Sequence, residues 1–242
     1  MNRERGTGET NGRLSDLLAI ARSLFPVPRS LFPLACALLL VSSAARAQWA
    51  FEAFAGTAVS ANSPLTIHQQ GYPTLTVDAH WDTRPFEPTM YYAIRVSRWW
   101  NNTGVFLDNL HHKLYLANPT AEVRRFEVTY GYNLFAVGPA LRRGDWSFMA
   151  GAGPILTNPA SIIRGQREIH KGGVLGTGYH LDGVHLQAGV NRRIHLVNAV
   201  FVSADVRLSA GWAEVDVANG KADVPNYAMH VLFGLGLGNK RR

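Results

Sequence analysis

From residue 48 onward, apolar and polar side chains alternate with a period of two, the signature of β-strands with two unlike faces. Thr74 to Trp81 sets Leu75, Val77, Ala79 and Trp81 against Thr76, Asp78 and His80. Met90 to Val96 opposes Tyr92, Ile94 and Val96 to Tyr91, Ala93 and Arg95. Between Val105 and Leu116, Phe106, Leu110, Leu114 and Leu116 face away from Asn109, His111, Lys113 and Tyr115. Phe126, Val128, Tyr130, Tyr132 and Leu134 likewise oppose Arg125, Glu127, Thr129, Gly131 and Asn133. The same rhythm runs through 183–192, 199–216 and 226–238. The pattern predicts about ten strands, at 49–58, 64–70, 74–83, 90–100, 105–116, 124–135, 145–157, 183–192, 199–216 and 226–238. Eight result if 64–70 belongs to a loop and another pair merges.

Alternation alone also fits a soluble sandwich or a lipocalin-like barrel, in which the apolar face points inward. Three features favour a membrane. Most segments are about ten residues or longer, the length a tilted strand needs to cross a bilayer. Aromatic residues (Trp49, Trp81, Trp99, Trp100, Tyr115, Trp146, Trp212, Tyr227) gather near segment ends, where interfacial girdles sit. A signal-like segment precedes the strands, and no later apolar run approaches the roughly 20 residues of a transmembrane helix. The expected fold is therefore all-β, a transmembrane antiparallel up-and-down barrel. On this register the short connections around Asn101–Gly104, Arg142–Asp145 and Arg192–Asn198 share one end, and the long connection 158–182 lies at the other.

The signal-like segment is Leu31 to Val41, an apolar run preceded by Arg22 and Arg29 and followed by Ala45-Arg46-Ala47. Its A-x-A site predicts cleavage after Ala47, leaving a signal peptide at 1–47 and a barrel domain at 48–242. The chain's only cysteine, Cys36, falls in the removed part, so the mature protein has neither a disulfide nor a thiolate metal site. Net charge is +7 from 24 basic and 17 acidic residues; outside residues 1–47, 18 and 14 remain. That dispersed surplus speaks against a nucleic-acid role.

If apolar faces meet lipid, the polar faces line the lumen. Asp78, His80, Arg95, His111, Lys113, Glu127, Asp205, Arg207 and His230 are the candidate lumen network, with Lys113, Glu127, Arg207 and Asp205 at its centre. Charges in a narrow barrel must pair, so the lumen is expected to be plugged. Val128, Tyr130, Val202 and Val231 are expected to face lipid. Adjacent His111 and His112 point to opposite faces and cannot bind one metal from a strand; no metal or cofactor is expected. The glycines at 234, 236 and 238 lack phosphate-loop spacing and are read as making room in the lumen.

As a whole, residues 48–242 resemble the small bacterial outer-membrane β-barrel proteins through the signal segment, the alternating strands and the apolar last strand. The resemblance implies residence in the outer membrane of a Gram-negative cell, contact with outer-membrane lipids including lipopolysaccharide, and insertion by the barrel-assembly machinery. It leaves the oligomeric state open. A more distant similarity is to the outer-membrane lipid A deacylases, which place His-x-Ser on one strand and Glu on the next. Read at His111, that pattern puts Lys113 at the nucleophile position; read at His112, it puts Leu114 there. The chain lacks the His-x-Ser motif, and no catalytic residue is assigned. A structural or binding role comes first among the readings, ahead of a narrow channel and a lipid hydrolase.

Overall fold

The computed structural model describes residues 47–169, 173–174 and 177–238. The expected signal segment, through Arg46, lies outside them. Among the described residues thirteen strands follow one another: β1 (Gln48–Ser60), β2 (Ser63–Gln69), β3 (Leu75–Ala79), β4 (Trp81–Asp82), β5 (Tyr92–Trp100), β6 (Thr103–Leu116) and β7 (Val123–Arg143). Then come β8 (Trp146–Thr157), β9 (Ala160–Ile163), β10 (Gln166–Ile169), β11 (His180–Val197), β12 (Val200–Val217) and β13 (Gly220–Gly238). Eight of them, β1, β5, β6, β7, β8, β11, β12 and β13, pair antiparallel with their neighbours, and β13 pairs back onto β1. The sheet is therefore closed, as expected, with eight strands in the ring rather than ten.

The two surplus segments explain the difference. At seven and five residues, β2 and β3 are shorter than a crossing requires. They form a hairpin that extends the sheet from one end of β13, pairing Thr66–Gln69 with Gly220–Asp223. The β9–β10 hairpin extends β7 in the same manner, and β4 adds two residues to β6. All three additions lie at one end, here the loop end. The opposite, turn end closes with two-residue connections whose left-handed residues are Asn101, Gly144 and Asn198, types that adopt this conformation at little cost.

Burial along β12 shows how each wall strand works. Phe201, Ser203, Asp205, Arg207 and Ser209 point inward and are buried, whereas Val200, Val202, Ala204, Val206 and Leu208 point outward. Beyond Trp212 the assignment inverts: Ala213, Val215 and Val217 are buried, and Glu214 and Asp216 face out. On β13 the same inversion falls at Tyr227, with Ala222 and Val224 buried and Lys221 and Asp223 exposed. A surface that is apolar around a charged interior is stable only in lipid, and one that is charged around an apolar interior is stable in water. From Val200 to Trp212 the strand covers roughly 40 Å at about 3.3 Å per residue, or about 28 Å of height at a 45° tilt, close to a bilayer core. The molecule is a membrane-spanning barrel that continues at its loop end into a water-facing extension.

The extension has its own apolar core. Leu65, Ile67, Trp81, Leu114, Phe126 and Val215 belong to one buried cluster inside the walls. The β6–β7 register slips once, between His112 and Leu114, where β7 loops out over residues 129–131 around Gly131, whose φ of 127° is closed to other residue types. Even-numbered residues of β6 and β7 point inward on both sides of this slip, so Val128, expected to face lipid, is fully buried in the extension core. Val202 and Val231 do lie on the outside of the wall, whereas Tyr130, also expected to face lipid, is exposed beside Glu127 on the outside of the extension.

Candidate functional site

The interior of the spanning barrel is the densest polar constellation. At its centre Arg95 donates from Nε to Asp108 at 2.7 Å and from Nη1 to Asp205 at 2.7 Å. Arg207 donates from Nε to Asp205 at 2.7 Å and from Nη1 to Asp108 at 2.8 Å. Each carboxylate thus accepts from both guanidinium groups, and the four side chains form a closed, charge-neutral ring that is at most 2% exposed. Inward positions on β5, β6 and β12 supply the residues, because period two puts Arg95, Asp108, Asp205 and Arg207 on the lumen side at one level. Charges this deep persist only when paired and hydrogen-bonded.

Toward the turn end, a second tier closes the lumen. Arg193 makes a two-point ion pair with Glu52 at 2.5 and 3.2 Å, and its guanidinium lies 4.9 Å from the Phe201 ring and 5.4 Å from the Trp99 ring. Arg142 covers Trp99 at 4.0 Å. Glycines on β13 admit these aromatic rings: a Cβ at Gly234 would come within 2.5 Å of Phe54, and one at Gly236 would collide with Phe201. Toward the loop end, His230 is hydrogen-bonded to Tyr91 Oη at 2.5 Å and to Ser209 Oγ at 2.7 Å. His112 meets Asn226 at 3.1 Å. The extension core lies above. Hence the lumen is filled through its length by ionic, cation–aromatic and apolar layers.

The Ser209–His230 spacing is that of a hydroxyl beside its base. Both side chains are buried between the Arg–Asp ring and the apolar core, where an acyl substrate has no route to them. Among the described residues, no cluster of three or more His, Asp or Glu is placed to hold a metal.

Of the nine residues expected in one lumen network, Arg95, Asp205, Arg207 and His230 line the lumen. The other five do not, and the expected centre dissolves. Asp78 and His80 are exposed around β3 in the extension, where polar residues face water. His111 lies on the outer side of β6, stacked on Tyr92 at 5.0 Å and hydrogen-bonded to Asn133 at 2.8 Å. Lys113, on β6 opposite the β7 bulge, is covered by the loop before β5 and donates to the carbonyls of Glu87 at 2.8 Å and Arg84 at 3.1 Å. Glu127 pairs with half-exposed Arg125 on the extension's outer face. Trp81, Trp99 and Tyr115 also leave the expected girdles, being buried.

Asp108, Glu52, Arg193, Ser209 and Tyr91 are the site residues that sequence reasoning missed. The clue to Asp108 was available: it shares parity with Phe106 and Leu110, and a carboxylate on a supposed lipid face contradicts that face. Arg193 was hidden because residues 192–198 read as a connection, whereas β11 continues to Val197.

A second polar feature is a cleft of about 470 Å³ on the outside of the extension, between the 84–88 loop and the β9–β10 hairpin. Arg84, Arg125 and Arg167 line it together with Glu87, Glu127 and Glu168. Arg84 is held more firmly protonated by its hydrogen bond to Asp82 and by nearby Glu87.

No protein-family model matches the chain, and no curated protein matches it. Among solved structures, Ail, the attachment invasion locus protein of Yersinia pestis, is similar at 12% identity, with 78% of this chain and 99% of that one covered and a TM-score of 0.38. The same protein in complex with the heparin analogue sucrose octasulfate gives the same values. Neisserial surface protein A (NspA) is similar at 10% identity over 79% of this chain and 98% of that one, with a TM-score of 0.35. The barrel assignment stands on the closed eight-strand ring itself.

Proposed function

We propose that the protein is an integral barrel of the bacterial outer membrane whose lumen is a structural plug and whose extension serves a structural or binding role outside the cell. On this reading the signal peptide is removed after Ala47, the barrel-assembly machinery inserts the chain, and the turn end faces the periplasm. Outer-membrane lipids, lipopolysaccharide among them, surround the wall. The observation that carries the plug is the closed Arg95–Asp108–Arg207–Asp205 ring at mid-lumen. A conducting path would have to open this ring against charge pairing in a poorly hydrated interior. With the lumen filled, the extension's polar surface, including the cleft beside Arg84 and Glu127, is what remains to meet other molecules. Purified protein in planar bilayers tests the reading: the barrel should insert without ohmic steps, and steady unitary conductance would make it a narrow channel instead.

A further inference from the structure

The lipid-facing wall is not uniform. In register, Ala204 of β12 lies between Arg192 of β11 and Phe233 of β13. One methyl group between two long side chains leaves a groove of about 480 Å³, bordered by Ile194 and Val202. Apart from Arg192 its walls are largely hydrocarbon. The Arg192 guanidinium lies 5.2 Å from the ring centroid of Trp146, the first residue of β8 after the Gly144–Asp145 turn. Trp146 is 45% exposed on the outer face, where an interfacial indole belongs. Arg143 is the register partner of Trp146 on its other side, so the ring sits between two outward-facing arginines. Among the described residues, neither arginine is ion-paired with a carboxylate.

The other edge of the wall differs in charge. Past Trp212 and Tyr227 the outward residues of β12 and β13 are Glu214, Asp216 and Asp223, with Lys221 as the one cation. An anionic headgroup is therefore matched at the turn end. Arg192 is held over an aromatic face, which limits the freedom it would lose on binding.

We propose that this groove holds an acyl chain of a phospholipid whose anionic phosphate is bound by Arg192. The proposal rests on the reading of the chain as a membrane barrel. The hydrocarbon chain would lie along Ala204, against Ile194, Val202 and Phe233, while the guanidinium supplies charge-assisted hydrogen bonds at the interface.

The test uses the full chain reconstituted in bilayers of phosphatidylethanolamine mixed with phosphatidylglycerol, followed by native mass spectrometry of the released protein. The parent should retain phosphatidylglycerol in excess over its share of the bilayer. Arg192→Gln, which removes the cation, and Ala204→Leu, which fills the groove, should each reduce retention by about tenfold, the worth of one charge-assisted contact. Ala53→Leu, on the outer face of β1, should leave it unchanged. Parent-level retention in either groove variant, or both lipids retained in proportion to their abundance, would overturn the proposal. Co-flotation with the vesicles separates the two readings: a parent that floats without retaining lipid refutes the groove alone, and one that fails to float refutes the membrane barrel.

Discussion

The two halves of β12 obey the same alternation and mean opposite things by it. Between Val200 and Leu208 the apolar residues are outside and Asp205 and Arg207 are buried; between Ala213 and Val217 the apolar residues are buried and Glu214 and Asp216 are outside. Trp212, 6.1 Å from Tyr227 on the neighbouring strand, marks the change. One strand thus serves two solvents. Period two shows that a strand has two unlike faces, but the surroundings decide which face is the interior, and only the position of the inversion reports where the membrane ends.

The largest effect should come from the ionic centre of the lower half. Asp205→Asn leaves Arg95 and Arg207 sharing one carboxylate in a buried site and should cost about 3–5 kcal/mol in urea unfolding from lipid, with a lower heat-modifiability transition on gels. Adding Arg207→Met should recover part of that loss. A cost below about 1 kcal/mol would instead mean a lumen screened by water. In the upper half, Leu65→Ala opens a cavity in a dry core and should cost about 3 kcal/mol. Its readout is local: faster proteolysis at the β2–β3 hairpin with the heat-modifiable barrel intact.

A comparison on one strand comes next in size. Val206→Lys puts a cation against lipid and should cost about 2–4 kcal/mol, whereas Glu214→Lys, eight residues on, should cost under about 1 kcal/mol. Equal costs at the two sites would erase the inversion. The smallest effect is expected at Glu127, whose partner Arg125 is 45% exposed. Glu127→Gln should shift stability by less than about 1 kcal/mol, in contrast to a centre of the lumen.

Much of the fold was legible. Strand faces were correct for β5, β11, β12 and β13, since each keeps an unbroken alternation across the bilayer. They were reversed along β6 and along β7 except at Tyr130, because the apolar even-numbered face that read as lipid-facing is the one that fills the interior there: Phe106, Leu110, Leu114, Phe126, Val128 and Leu134 are buried, while Val105, Leu107 and Tyr130 are exposed. The count of ten followed from giving 64–70 and 74–83 the status of wall strands; the second read as ten residues, whereas it divides into β3 and β4 and serves two different partners. The site was legible only in part. Arg95, Asp205 and Arg207 share the polar face of strands whose outward residues are uniformly apolar. Asp78, His80 and Glu127 sit on polar faces too, but in the extension, where a polar face looks outward. Assigning one rule to the whole chain moved them into the lumen. Asp108 was lost for the converse reason, an apolar parity that carried one carboxylate.

Single-cysteine labelling along β12, in a chain carrying Cys36→Ser, tests the inversion most directly. The account predicts that Val206→Cys reacts only with a lipid-soluble maleimide, Asp216→Cys only with a membrane-impermeant one, and Val215→Cys with neither in the folded barrel. Labelling of Val206→Cys by the impermeant reagent, or of Asp216→Cys by the lipid-soluble reagent alone, would contradict it.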